Sequence, residues 1–339
     1  ACSMSDPKFV VIGGGTGISV LLRGIKRFSD DITAIVTMAD DGGSSGMLRR
    51  DYGMLPPGDV RNCLVALANA EPSLKNLLQY RFQDGNLKDQ NMGNLIITAL
   101  TDIYGGFAEG VKEAAEVLKI TGRVLPVTEE SIALIGHYTD GASIRGESAI
   151  PRYAYENDAA ITFIELAPRA PRANGDCIEE ILSADLLVLG PGSLYTSLIP
   201  NLLVPEVARA LNESPAPLVY VANMMEQHGE TEGMGLIDHL DALKAHGLMR
   251  PVTCILANDS KTDPELLEKY ARKEGVRPIY LTDEERKVLA TRGVDVEEGA
   301  FMATGGELIR HDGLAVAQRL LSLCDRYREI HCKERRTAL

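Results

Sequence analysis

The hydrophobic pattern of the chain alternates short apolar runs with amphipathic segments. The run Phe9 to Ile12 breaks into a glycine-rich turn, a helical pattern continues to Phe28, and Ile32 to Met38 forms a second apolar run. A strand, a glycine turn, a helix and a second strand in such close succession make a βαβ unit, and a βαβ unit predicts a parallel sheet.

Further apolar runs recur along the chain, with helical patterns between them. They lack the two-residue alternation of half-exposed strands, which indicates strands covered on both faces. The predicted strands are 161–164, 185–189, 218–222 and 254–257, and the clearest helices are 59–67, 94–103 and 314–327. This pattern predicts an α/β fold, a Rossmann-like three-layer α/β/α domain with a mostly parallel sheet.

The domain organisation follows from the same pattern. Between Gly122 and Pro151 the texture changes to short strands and turns, which predicts a small β-rich hairpin insertion near 122–151. Neither an internal repeat nor a low-complexity linker interrupts the rest of the chain. We therefore expect one nucleotide-binding domain over 8–330, followed by a C-terminal tail at 331–339.

Composition and charge limit the class of protein to which the chain can belong. Of the 339 residues, 45% are hydrophobic and 24% are charged, which is typical of a globular protein. The formal net charge of -13 disfavours nucleic-acid binding, and no apolar run approaches the roughly 18 residues of a membrane span. Six scattered cysteines and the lack of a signal-peptide pattern predict reduced thiols in the cytoplasm. Neither cysteines nor histidines show metal-ligand spacing, so we predict no metal site from them.

The glycine turn after the first strand is the first candidate site. It consists of Gly13, Gly14, Gly15, Thr16 and Gly17. A glycine turn between a strand and a helix lets backbone N–H groups approach a phosphate, and the helix dipole favours the anion. The spacing matches the dinucleotide fingerprint only in part, and a P-loop is excluded because no Lys-Ser/Thr pair follows.

An acidic pair ends the second predicted strand. Asp40 or Asp41 could bind a ribose hydroxyl, could coordinate a hard cation such as Mg²⁺, or could be a solvated turn carboxylate. The glycine-rich stretch from Asp41 to Gly46 predicts a mobile ligand-binding loop.

Polar residues cluster at two predicted helix starts. Asp59, Arg61 and Asn62 begin one helix and Asn94 begins the other. Asp59 and Asn94 could simply cap these helices, whereas Arg61 could clamp a phosphate or a carboxylate. Asn223 follows a predicted strand and is expected to face the same crevice.

A second glycine-rich turn follows the strand 185–189. Its candidate residues are Gly190, Gly192, Ser193, Tyr195 and Thr196. At the carboxyl edge of a parallel sheet they predict another nest of backbone amides, although Ser193 or Thr196 could be only a helix cap. The G-x-S-x-G pattern of a serine nucleophile is absent.

Six segments together resemble one known family. They are GGGTG (13–17), ADDGGSSG (39–46), PPGDVRNCLVAL (56–67), MGNL (92–95), GPGSLYTSLIPNLLV (190–204) and HGETEG (228–233). They are similar to the bacterial gluconeogenesis factors of the YvcK type, which are CofD-like and related to 2-phospho-L-lactate transferase.

The resemblance implies a cytoplasmic factor that binds a UDP-sugar, chiefly UDP-N-acetylglucosamine (UDP-GlcNAc), and links gluconeogenic carbon metabolism to cell-wall precursor synthesis and cell shape. It also implies that Tyr270 and Arg310 contact the UDP-sugar and that cell-wall precursor enzymes are protein partners. No cofactor is implied as a requirement. The sequence leaves open a phosphoryl- or nucleotidyltransferase, an NAD-dependent enzyme, a role for Mg²⁺ and a homo-oligomer.

Overall fold

A seven-stranded parallel sheet forms the centre of the molecule. The structure is a computed structural model, and it describes residues 6–261, 263–303 and 308–337. The strands of the sheet are β1 (Phe9–Gly13), β2 (Ile32–Val36), β3 (Arg123–Pro126), β7 (Leu186–Leu189), β8 (Leu218–Val221), β9 (Cys254–Asn258) and β10 (Asp295–Gly299). Their order is β10-β9-β8-β7-β1-β2-β3. Strands β2 and β3 follow β1 on one side of it, whereas β7 and the later strands lie on its other side. The switch point of the sheet, where the strand order reverses, therefore lies between β1 and β7.

Helices flank this sheet in a three-layer α/β arrangement, as predicted. They are α1 (Gly15–Ile25), α2 (Gly43–Tyr52), α3 (Gly58–Leu67), α4 (Pro72–Gln79), α5 (Met92–Tyr104), α6 (Phe107–Leu118), α7 (Ala149–Asn157), α8 (Gly175–Ser183), α9 (Ile199–Leu202), α10 (Pro205–Glu213), α11 (Leu236–Ala245), α12 (Pro264–Glu274), α13 (Asp283–Thr291) and α14 (Gly313–Thr337). A 3₁₀ turn covers Gly85–Leu87, and a π-helix covers Leu194–Leu198.

The central strands are buried on both faces. Every residue of β1, β2, β7, β8 and β9 is buried. This explains why their sequences are continuous apolar runs without alternation. Buried apolar side chains of the large sheet and of a second, smaller sheet belong to one continuous core.

The second sheet differs from the predicted hairpin insertion. It is antiparallel, has the order β5-β4-β6, and consists of β4 (Ala133–Tyr138), β5 (Ser143–Arg145) and β6 (Ile161–Ala167). The prediction that 161–164 is a strand covered on both faces is wrong, because Thr162 and Phe163 are exposed. Conversely, β3 falls within the predicted insertion, yet it pairs with β2 at the edge of the large sheet.

The glycine-rich segment after Asp41 forms the start of helix α2, so the prediction of a mobile loop there is wrong. Ser44, Ser45 and Leu48 of α2 are buried. Gly46 fits there because a Cβ atom would lie 2.0 Å from the carbonyl oxygen of Asp41. The predicted final helix also extends further than expected, since α14 continues to Thr337 through most of the predicted tail.

Two properties of the described residues bear on the expected class of protein. In the described ranges, no helix is both long and apolar enough to cross a membrane. Cys63, Cys177, Cys254 and Cys324 are free and buried.

Candidate nucleotide site at the switch point

A cavity of about 760 Å³ lies at the carboxyl ends of the central strands. Gly14 lines it after β1, Asp40 after β2, Gly192 after β7 and Asn223 after β8. These strands include the switch point of the sheet, where ligands of open α/β folds bind. The cavity is therefore the candidate functional site.

The N-terminal turns of several helices converge on this cavity. Thr16 of α1, Ser44 of α2, Asp59 of α3 and Asn94 of α5 line it, as does Ser193 immediately before the π-helix. Each such turn carries backbone N–H groups without intrahelical partners and the positive end of a helix dipole. The starts of four α-helices thus line one space, and their dipoles favour an anion there.

The first glycine turn leaves its amides available to a ligand. Helix α1 has Gly14 as its N-cap, without a side-chain cap. The backbone N–H of Gly15 lies near the carboxyl group of Asp59 and favours its ionised form, which lowers the pKa of Asp59 against the effect of burial. The backbone N–H groups of Thr16 and Gly17 donate to no acceptor within the described part of the chain. Both residues line the cavity, so their N–H groups can donate to an anion.

Close packing explains why this turn is rich in glycine. A Cβ atom on Gly15 would lie 2.2 Å from the carbonyl oxygen of Asp59, and one on Gly17 would lie 2.3 Å from that of Pro191. A Cβ atom on Gly14 would lie 2.7 Å from Ser197 Oγ. The glycines thus allow α1 to pack against the start of α3 and against the second glycine-rich turn.

Three carboxyl groups belong to the lining of the cavity. Asp40, Asp59 and Glu147 all line it. Burial, reinforced by the charge of Asp40, raises the pKa of Asp59 to about 7. Burial, reinforced by Asp40 and Asp41, raises the pKa of Glu147 to about 8. Near neutral pH these two groups can therefore give or take a proton.

Asp41 has a different position from its neighbour Asp40. Its carboxylate accepts hydrogen bonds from the backbone N–H groups of Glu147 and Ser148, both at 2.9 Å, and from the Ser148 hydroxyl at 2.7 Å. Asp41 thus ties the segment after β5 to the main sheet and places Glu147 in the cavity.

Arginines line the remaining wall. The guanidinium of Arg61 donates to Asn94 Oδ1 at 3.1 Å and to Asn62 Oδ1 at 2.9 Å, so both amides fix its orientation. Arg23, Arg81 and Arg310 also line the cavity. The site therefore combines a carboxylate-lined part with a guanidinium-lined part.

The amides of the second glycine-rich turn are already bound by the protein. The N–H of Leu194 donates to Gln227 Oε1 at 3.2 Å, and the N–H of Tyr195 donates to Glu230 Oε2 at 3.3 Å. The Thr196 hydroxyl donates to Glu230 Oε1 at 2.8 Å. Burial raises the pKa of Glu230 to about 7 despite these hydrogen bonds.

What this turn presents to the cavity is mainly polar side chains and Gly192. Ser193 Oγ accepts a hydrogen bond from Gln227 Nε2 at 2.8 Å. Asn223 Nδ2 donates to the carbonyl oxygen of Gly192 at 2.9 Å. All four residues line the cavity. This turn therefore offers a ligand side-chain hydroxyl and amide groups, and its own backbone N–H groups contribute less than predicted.

The structure brings together most of the residues that the sequence singled out. Those that line the cavity are Gly14, Thr16, Gly17, Asp40, Asp59, Arg61, Asn62, Asn94, Gly192, Ser193, Asn223 and Arg310. Those outside its lining are Gly13, Gly15, Asp41, Gly190, Tyr195, Thr196 and Tyr270. Tyr270 lies on α12, and its hydroxyl accepts a hydrogen bond from the backbone N–H of Ile309, the neighbour of Arg310. Their roles toward a ligand stay predictions.

Sequence reasoning missed Glu147, Gln227 and Glu230. Glu147 lies in the segment interpreted as a hairpin, where no motif marked it. Gln227 and Glu230 follow β8 in a polar stretch, and their position after a strand was the available signal. Within the described ranges, no group of three or more His, Cys, Asp or Glu side chains is arranged to hold a metal ion.

Comparison with known families identifies the group to which this fold and site belong. The model of the family described as 2-phospho-L-lactate transferase CofD matches residues 9–302. The chain is 42% identical to the gluconeogenesis factor of Bacillus subtilis, covering 94% of this chain and 98% of the relative. It is 43% identical to the gluconeogenesis factor of Halalkalibacterium halodurans, and the match covers 94% of this chain and 97% of the relative. The chain belongs to the CofD-like gluconeogenesis-factor family.

Solved structures extend this family relationship to three dimensions. A crystal structure of a Bacillus halodurans protein is 42% identical to this chain and has a TM-score of 0.89. The match covers 94% of this chain and 100% of that one. A further crystal structure of the same protein, described there as a member of the UPF0052 family, gives a TM-score of 0.88. The CofD-like family resemblance read from the six segments is confirmed.

Proposed function

We propose that this protein binds a UDP-sugar, UDP-GlcNAc in the first place, in the cavity at the switch point. The observation that carries the proposal is the convergence of four α-helix N-termini on one cavity, where the N–H groups of Thr16 and Gly17 have no acceptor among the described residues. A nucleoside diphosphate-sugar brings a pyrophosphate, which such amides and dipoles favour. The cavity volume also falls in the usual range of small-molecule sites.

Within this proposal, the two sides of the cavity have different tasks. The free amides of Thr16 and Gly17 bind the pyrophosphate together with Arg61, which Asn62 and Asn94 hold in place. The polar side chains of Asn223 and Ser193 line the same space and contact the ribose or the sugar. Asp40 accepts from a ribose hydroxyl, as expected for an acid at the end of the second strand.

The name of the relatives supports a regulatory role. The Bacillus subtilis relative is called a gluconeogenesis factor, which connects that protein with carbon supply. We propose that this chain acts in the cytoplasm as a sensor whose UDP-sugar occupancy controls enzymes of cell-wall precursor synthesis and thereby cell shape. Such a sensor needs a ligand that binds two protein states with different affinities.

A second candidate function is transfer of a phosphoryl or nucleotidyl group. The observation that favours it is the presence of Asp59 and Glu147 in the cavity with raised pKa values of about 7 and about 8. General acid–base catalysts have pKa values near the working pH. The matching family model, described as a transferase, agrees with this candidate.

Calorimetric titration tests the binding proposal. UDP-GlcNAc should bind with a stoichiometry of one, and at about 100 times its Kd it should stabilise the fold by roughly 2.7 kcal/mol. UDP-glucose, GDP and NAD serve as comparison ligands, each with and without Mg²⁺. Clear binding of NAD with no response to millimolar UDP-GlcNAc would overturn the proposal.

A turnover assay separates the sensor from the transferase. A sensor leaves UDP-GlcNAc intact over hours. A nucleotidyltransferase converts UTP and N-acetylglucosamine-1-phosphate to UDP-GlcNAc and pyrophosphate. Glu147→Gln then abolishes this conversion while UDP-GlcNAc binding persists. Sustained turnover by the wild type would show that the protein is a transferase and would overturn the sensor proposal.

A further inference from the structure

A depression with three cationic side chains lies beside the main cavity. Its volume is about 380 Å³, and α1, α3 and α4 form its walls. The cationic side chains are Arg23, Lys26 and Lys75. Among the described residues that line it, none is acidic. We call this space the basic depression.

The charges of the basic depression are not neutralised by nearby acids. The chain carries 48 acidic residues against 35 Lys and Arg, so carboxylates are abundant. Even so, across the described residues neither Arg23, Lys26 nor Lys75 forms an ion pair. Burial and the nearby charges of Lys75 and Arg23 lower the pKa of Lys26. The three cations are therefore close enough to repel each other.

Helix capping explains only part of this arrangement. Lys26 Nζ donates to the carbonyl oxygen of Ala68, just after the end of α3, at 3.0 Å. Arg23 lies in the last turn of α1, where the helix dipole favours a cation. Lys75 is only the fourth residue of α4, close to the end where the dipole disfavours a cation. Capping thus leaves Lys75 unexplained, and Lys26 keeps two further N–H donors.

The basic depression continues the main cavity along α1. Thr16, Val20 and Arg23 recur at helical spacing, and all three line the main cavity. Arg23 lines both spaces. The seven residue steps from Thr16 to Arg23 correspond to about 10 Å of helix. An anion in the basic depression would therefore lie roughly that far from the first glycine turn.

We propose that the basic depression binds a second anionic group, the phosphate of a small phosphorylated molecule. A doubly charged phosphate group would relieve the mutual repulsion of the three cations and accept hydrogen bonds from all of them. The group can belong to a separate molecule or to the far end of one that also fills the main cavity. This inference goes beyond the proposed function and does not depend on UDP-sugar binding.

Lysine footprinting on the wild-type protein tests the site directly. The protein is treated with an amine-acylating reagent in the presence or absence of inorganic phosphate or pyrophosphate, and mass spectrometry measures the rate at each lysine. Phosphate should slow acylation of Lys26 and Lys75 and leave the exposed Lys88 and Lys119 unchanged. Equal rates at Lys26 and Lys75 with and without either anion would overturn the proposal.

Adding UDP-GlcNAc to the footprint distinguishes the two sources of the phosphate. If a separate molecule binds, phosphate protects Lys26 and Lys75 even when UDP-GlcNAc fills the main cavity. If one extended molecule spans both spaces, a ligand with a second phosphate at its far end protects them and competes with UDP-GlcNAc. Phosphate protection of Lys26 and Lys75 together with no calorimetric signal for UDP-GlcNAc binding would count against the proposed function alone.

A pair of variants gives the quantitative test. Lys75→Met should raise about tenfold the phosphate concentration that protects Lys26 from acylation, as expected when a charge-assisted hydrogen bond is lost. This readout at Lys26 does not include an anion bound at the first glycine turn. Arg27→Met is the matched control, because it removes an exposed cation from the residue next to Lys26 without touching the depression. An equal rise in the control would show a general effect of charge and would overturn the specific site.

Discussion

The two glycine-rich turns of this protein look alike in sequence and differ in structure. Both follow a buried strand of the parallel sheet, and both precede a helix. In the first turn, the N–H groups of Thr16 and Gly17 have no acceptor within the described ranges. In the second turn, Gln227 accepts a hydrogen bond from the N–H of Leu194, and Glu230 accepts one from the N–H of Tyr195.

This difference shows that glycine content alone does not identify a phosphate site. The glycines of the first turn are required by backbone contacts, such as that of Gly17 with Pro191. Its capacity to bind an anion comes from amides that no protein acceptor uses. The second turn contributes side chains, and the carboxyl group of Glu230 holds its backbone in place.

The largest expected effect tests the contact between the turns. Gly17→Ala places a Cβ atom 2.3 Å from the carbonyl oxygen of Pro191, so the turns must separate. We expect a loss of about 3 kcal/mol in the free energy of unfolding, the upper end for overpacking. Gly192→Ala is the control, since its Cβ atom would meet nothing closer than 3.4 Å. Urea denaturation measures both, and equal stabilities would contradict the packing argument.

The next effect tests how the second turn is held. Glu230→Gln replaces one accepting oxygen by a donor, so either the Tyr195 N–H or the Thr196 hydroxyl loses its acceptor. We expect the free energy of unfolding to fall by about 2 kcal/mol at pH 5, where the folded wild type has a protonated carboxyl group and the amide brings a buried N–H without an acceptor. At pH 8 the difference should shrink, because burial raises the pKa of Glu230 to about 7 and its ionisation destabilises the wild type. Glu232→Gln at a more accessible position nearby should change it far less. A Glu230→Gln protein as stable as the wild type would mean that the turn holds itself.

The third effect concerns pH and the first turn. Because Glu147 has a raised pKa of about 8, it gains a proton as the pH falls from 9 to 6, and the cavity loses negative charge. Anion affinity should therefore rise over this interval, by about 1.4 kcal/mol for each unit by which the ligand shifts that pKa. Glu147→Gln should bind more tightly at pH 9 and show a flatter profile. Titrations at several pH values check this, and an unaltered profile in the variant would exclude Glu147 as the cause.

The smallest effect concerns Ser193. Ser193→Ala removes the hydroxyl that accepts from Gln227 Nε2 at 2.8 Å, and water can reach this part of the cavity. We expect less than about 1 kcal/mol of lost stability and a similarly small loss of UDP-sugar affinity. Calorimetry on the folded variant measures both. A loss as large as that of Glu230→Gln would mean that Ser193 itself organises the turn.

Much of the candidate site could be predicted because parallel strands end at a common edge. Asp40, Gly192 and Asn223 each follow a buried strand, so their sequence position already predicts that they meet. Arg61 and Asn94 were recognised at helix starts, and these starts converge on the cavity. Glu147 could not be predicted, since a hydrogen-bonded contact with Asp41, 106 residues earlier in the chain, brings it there.

Local patterns also failed where the environment, not the sequence, decides the conformation. The segment after Gly42 contains three further glycines among its first eleven residues, yet Gly43–Tyr52 is a helix with buried serines. The Ser44 hydroxyl donates to Gln90 at 2.7 Å, and Ser45 accepts the N–H of Gly58 at 3.0 Å. These tertiary hydrogen bonds compensate for the low helix propensity of glycine and serine.

The sequence by itself determined the parallel sheet, its glycine-rich turns and the family, because buried strands and tight turns each require particular residue types at fixed spacing. Only the tertiary structure decided which amides remain free, which carboxyl groups have raised pKa values and which cations lie without an acidic partner. Those properties depend on distances between groups far apart in the chain. Thr16 keeps a free N–H and Tyr195 does not, because Glu230 folds back onto the second turn alone.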